Sequence, residues 1–91
     1  MSRILIRQQH NKSSDEVVDI LKEVEETLAT RFKLSTHWRG DAVSFKRSGL
    51  DGELRMEPGC VVINMKLSRM LGLFARQIQT ELESSLAKKL A

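Results

Sequence analysis

The chain has 91 residues, 41% of them hydrophobic and 30% charged, with a formal net charge of +3 and one cysteine. That length makes one domain, 1–91, because its pieces would be too small to bury a core. The lone Cys60 excludes an internal disulfide, no apolar run approaches the ~20 residues that span a bilayer, and the start is too polar for a signal peptide, so a cytoplasmic protein is expected.

Ile4 and Ile6 alternate with Arg3, Leu5 and Arg7, the period of a short strand. After the polar connection Gln8–Lys12, Ser13 and Glu16 have capping-box spacing and open a helix. Its buried stripe is Val17, Leu21, Val24, Leu28 and Phe32. Acidic residues crowd its start and Arg31 and Lys33 its end, matching the helix dipole.

Residues 34–67 read as a four-stranded antiparallel meander. Gly40-Asp41 closes a first hairpin that sets Trp38 opposite Val43 and Thr36 opposite Phe45. Ser48-Gly49-Leu50-Asp51, taken as a four-residue loop, sets Phe45 opposite Leu54 and Val43 opposite Met56. Pro58-Gly59 closes a third hairpin with Met56 opposite Val61, Leu54 opposite Ile63 and Gly52 opposite Met65. Three separate turns give one apolar face, and a one-residue slip at any of them would turn a strand's apolar set toward water. Ser68 then caps a second helix that runs to the C-terminus. Leu71, Phe74, Ile78, Leu82, Leu86 and Leu90 form its stripe, and Met70 and Leu73 widen it at the start.

The order β-α-β-β-β-β-α makes an α+β fold: a five-stranded antiparallel sheet in spatial order 2-3-4-5-1, with both helices on one face. The topology is analogous to the TATA-binding-protein-like fold or a reduced helix-grip fold, which assigns no function by itself.

The chemistry-bearing residues are few. His10 and His37 have no second ligand at metal spacing, and no phosphate loop, nucleophile elbow or spaced carboxylate pair is present. No catalytic residue, metal site or cofactor is expected, and the chain reads as a non-enzyme. Arg47 stands out because strand alternation puts it on the apolar face, where a guanidinium must be paired or lie at the rim. Asp51 or nearby loop carbonyls could hold it. Alternatively Gly52, lacking a side chain, leaves a notch beside Arg47 for an anionic ligand group, with Asp51 and Trp38 as further candidates. The outer sheet face is rich in Arg and Lys but without aromatic platforms, so nucleic acid is a third reading and not the expected partner. A continuous second helix from Arg69 to Leu90 would extend roughly 33 Å at ~1.5 Å per residue. Strands of six or seven residues cover about 20–23 Å. Leu82, Leu86 and Leu90 would then overhang the sheet and meet a partner, a second copy included, unless they pack on the first helix.

Trp38-Arg39-Gly40-Asp41, the block Phe45–Gly52, Leu71-Gly72-Leu73-Phe74, the Ile78/Glu81/Leu82 pattern and Ile4-Leu5-Ile6-Arg7 together resemble the polyhydroxyalkanoic acid system family of small bacterial proteins. Gln8–Ser14 departs from that family's usual arginine-and-histidine start. The resemblance implies an association with polyhydroxyalkanoate granules or with a granule-associated protein, and no enzymatic activity comes with it. A non-catalytic granule-binding or protein-binding role is therefore the leading expectation. An acyl or hydroxyacyl binding module with its anionic group at Arg47 is the alternative.

Overall fold

A computed structural model describes residues 2–90. The first strand, β1 (Ser2–Gln9), is followed by α1 (Ser14–Arg31), then by β2 (Ser35–Arg39), β3 (Ala42–Arg47), β4 (Leu50–Glu57) and β5 (Cys60–Leu67). A short α2 (Arg69–Gly72) and a longer α3 (Ala75–Leu90) complete the chain. All strand pairs are antiparallel and the sheet order is β1-β5-β4-β3-β2, the expected order read from the other edge. The crossover through α1 carries the chain from one edge of the sheet to the other, so that β1 can pair with β5. The α+β architecture with helices on an open antiparallel sheet is as the sequence predicts.

Strand alternation explains the core. Ile4 and Ile6, Val43 and Phe45, Leu50 and Leu54, and Val61, Ile63, Met65 and Leu67 all face the helices and are buried. Val17, Leu21, Val24 and Leu28 of α1 and Ile78, Leu82, Leu86 and Leu90 of α3 close over them in one cluster. Two ion pairs tie the helices together, Arg31 to Glu81 at 3.1 Å and Lys89 to Glu23 at 2.8 Å. Both are at the surface, so they set the relative placement of the helices more than they stabilise it.

The cap at Ser13 is formed as its spacing predicts. The Ser13 hydroxyl accepts from the Glu16 N–H at 3.3 Å, and the Glu16 carboxylate accepts from the Ser13 N–H at 3.2 Å. Those contacts from the Ser13 backbone and side chain, with Lys12 nearby, hold the Glu16 carboxyl below its ordinary value. A depressed carboxyl stabilises the fold above the unfolded-state value, about 4.5, and the contribution disappears as pH falls through the folded-state value. Ser13→Ala should lower stability by about 1 kcal/mol at neutral pH. In urea melts the deficit should be smaller at pH 3 than at pH 7. An equal deficit at both would remove the carboxylate from the account.

Two features differ from expectation. The second hairpin turns on Ser48-Gly49 alone, so Arg47 pairs with Leu50, Phe45 with Gly52 and Val43 with Leu54. Gly49 has φ +85°, the left-handed backbone that such a tight turn needs and that glycine adopts without strain. Leu50 thereby enters the sheet and the core instead of lying in a loop. The two-residue shift keeps every side chain on its expected face, so alternation alone could not detect it.

The second helix is also interrupted. Leu73 and Phe74 form a turn in which the Phe74 N–H donates to the Leu71 carbonyl, three residues back, before α3 begins. The 16-residue α3 spans about 24 Å and the eight-residue β1 about 27 Å. The helix is therefore matched to the sheet and does not overhang it. Leu82, Leu86 and Leu90 are 4%, 0% and 3% exposed, so the free partner surface expected of them is absent, and with it that route to a dimer.

Candidate functional site

Arg47 sits at the rim of the apolar face, but with neither of its expected partners. Asp51 is on the opposite face of the sheet, in register with Lys46 on one side and Lys66 on the other. Arg47 Nη1 instead donates to the Phe32 carbonyl at 2.9 Å. Phe32 is the C-cap of α1, so the guanidinium satisfies a carbonyl that the helix leaves without a partner and complements its negative end. No acidic side chain pairs with Arg47 among the described residues.

Gly52 leaves no open notch. A Cβ built there would lie 2.7 Å from Met65 Cγ and 3.1 Å from the Asn64 carbonyl, so the Met65 side chain already fills the space. Trp38 is likewise engaged, its indole N–H donating to Glu25 Oε1 at 3.0 Å and fixing β2 to α1. The structure therefore does not bring Arg47, Asp51, Gly52 and Trp38 together as one site.

What lies beside Arg47 is a cleft of about 220 Å³ between the end of α1, the second hairpin and the α2–α3 corner. Its apolar walls are Phe32, Leu50, Leu71, Phe74 and Ile78. The corner is held close to the sheet. The Ser68 N–H donates to the Gly49 carbonyl at 2.8 Å, and a Cβ on Gly72 would fall 2.6 Å from Ser2 Oγ. Leu71 packs against the core from this corner, which leaves the remaining apolar side chains pointing outward.

Met70, Leu73 and Phe74 are 76%, 84% and 51% exposed, with Arg69 and Arg76 exposed beside them. The one other large apolar side chain exposed among the described residues is Leu5, on the far face of the sheet. The exposed apolar surface therefore lies at the start of the C-terminal helical region and not at Leu82, Leu86 and Leu90. Met70 and Leu73 carried the signal, since they widen the stripe beyond what a helix can bury on one sheet.

The outer face holds a larger hollow of about 500 Å³, but it is polar. Its cations are interleaved with carboxylates: Arg55 pairs with Glu53 at 2.8 Å, and Arg7 with Glu57 at 3.5 Å at its margin. That is a salted, solvated face and not a continuous basic track. His10 Nδ1 accepts from the Lys12 N–H at 3.1 Å, and no group of three metal-ligating side chains occurs among the described residues. Among the described residues no helix is long and apolar enough to cross a membrane.

An open antiparallel sheet with helices on one face and an exposed apolar corner defines a small α+β protein. Residues 4–90 match the family described as "Putative polyhydroxyalkanoic acid system protein", and the chain belongs to that family. No curated protein and no solved structure matches it.

Proposed function

We propose that this chain is a non-catalytic component of the polyhydroxyalkanoate system that docks on the polymer granule through the exposed corner Met70–Phe74. The observation that carries this reading is the concentration of three large, exposed apolar side chains in five consecutive residues. A patch of that kind, rimmed by charge, is the usual mark of an interaction surface. The family description, a polyhydroxyalkanoic acid system protein, supports a polyester surface as the occupant of this patch. Leu71 and Gly72 supply the rigidity, one packed on the core and the other against Ser2.

The test is co-sedimentation with native granules and with protein-free polymer particles. Leu73→Asp combined with Phe74→Asp should cut retention by about tenfold or more on both, since each side chain would otherwise bury an apolar surface worth ~1.5–3 kcal/mol. Leu5→Asp, on the far face, should leave retention unchanged. Wild-type retention on native granules but not on bare polymer would replace the polymer with a granule protein as the partner. Undiminished retention of the double variant would end the reading.

A further inference from the structure

The cleft next to the docking corner has a chemistry of its own. Five apolar side chains line it, and one guanidinium stands at its mouth. Arg47 spends one donor on the Phe32 carbonyl and has no carboxylate partner among the described residues. A guanidinium carries five N–H donors, so most of its capacity faces solvent at the cleft rim. Gln77 adds an amide there. The volume of about 220 Å³ is below the ~300–1,000 Å³ of sites for drug-sized ligands. At ~30 Å³ per small group, as for water in the liquid, it holds about seven heavy atoms.

We infer that this cleft binds the carboxylate form of a short aliphatic acid, its chain against Phe32, Leu50, Leu71, Phe74 and Ile78 and its carboxylate on the Arg47 guanidinium. Charge complementarity selects this occupant. An uncharged alkane would leave the guanidinium donors to water, an alkylammonium would meet a like charge, and a carboxylate can take two parallel N–H bonds. The hydrogen bond to Phe32 does not compete, because it uses Nη1 and leaves Nη2 and Nε for the ligand. That bond also restrains the guanidinium at the rim, so less freedom is lost when an anion arrives. Of Arg47, Asp51, Gly52 and Trp38, only Arg47 lines this cleft. The glycine notch is replaced by a cavity that the two-residue turn at Ser48-Gly49 creates by bringing Leu50 into the sheet.

The probe is sodium hexanoate, titrated into the 15N-labelled full chain with amide shifts as the readout. Saturable shifts should appear in residues 71–78 and around Arg47. Hexanol and hexylammonium should bind about tenfold more weakly or worse, the ratio expected for a charge-assisted hydrogen bond. Arg47→Gln should weaken hexanoate to the level of hexanol, while Arg55→Gln on the outer face should change nothing. Phe74→Ala, at a half-exposed position, should also weaken all three ligands. Equal binding of hexanoate and hexanol to wild type would overturn the role of Arg47, and this comparison holds even if Arg47→Gln perturbs the end of α1. Absence of saturable shifts would overturn the site itself. Hexanoate failure with intact granule retention would end this inference alone. Failure of the wild-type chain to co-sediment with granules or bare polymer, with intact hexanoate binding, would end only the docking reading.

Discussion

Leu86→Asp should abolish the cooperative unfolding transition of this protein. Leu86 is fully buried on α3, which lies over β1 and against α1. A carboxylate there would lose its hydration with no cation or donor built to receive it, and a protonated one would still leave polar atoms unpaired. The milder Leu86→Ala should cost about 2–5 kcal/mol through lost transfer energy and a residual cavity. Against the ~5–10 kcal/mol expected of a fold this size, the alanine variant should melt many degrees lower, and the aspartate variant should show no sigmoidal transition by circular dichroism. Leu73→Asp, by contrast, should shift stability by less than about 0.5 kcal/mol, because that side chain already stands in solvent. The pair separates folding leucines from docking leucines. A folded Leu86→Asp with a wild-type melting temperature and lost granule retention would reverse the assignment.

The second large effect is expected at Gly52. In an ordinary strand interior, replacing glycine by alanine gains roughly 0.5–1 kcal/mol of conformational entropy. Here the new Cβ would lie 2.7 Å from Met65 Cγ and 3.1 Å from the Asn64 carbonyl, one of them backbone that cannot yield without moving β5. Overpacking of this kind costs about 1–3 kcal/mol, which exceeds the gain, so Gly52→Ala should destabilise and Gly52→Val more so. Met65→Ala removes the nearest atom at its own cost of a cavity. The double variant Gly52→Ala/Met65→Ala should therefore be less destabilised than the sum of the two singles, measured as a coupling in urea denaturation. A neutral or stabilising Gly52→Ala would mean that the space at Gly52 is open after all and that Met65 does not fill it.

Several elements are legible in the sequence alone. The capping box at Ser13 and Glu16, the α1 stripe and the inward set Val43, Phe45, Leu54, Met56, Val61 and Ile63 follow from side-chain period and cap chemistry. Those are short-range rules that tertiary contacts reinforce. The partners of Arg47 and Trp38 are not legible there, because the Phe32 carbonyl is 15 residues from one and Glu25 is 13 from the other. Nothing in local sequence brings a helix end to the rim of a particular hairpin. The filled space at Gly52 is equally hidden. Pairing across the third hairpin identifies Met65 as its strand partner, but whether that side chain lies over the glycine or away from it is decided by packing density.

By itself the sequence determined the strand and helix types, their order and which face of each is apolar, since alternation and helical spacing are local and repeated many times along the chain. Tertiary structure decided the rest. It set the meander's middle register, where a two-residue shift is invisible to alternation and only the burial of Leu50 favours the tight turn. It decided which end of the C-terminal helical region is free, because that depends on matching an eight-residue strand to a helix that breaks at Leu73. The leucines of α3 were thereby drawn into the core, and Met70, Leu73 and Phe74 were left outside, where one sheet has no more area to cover them.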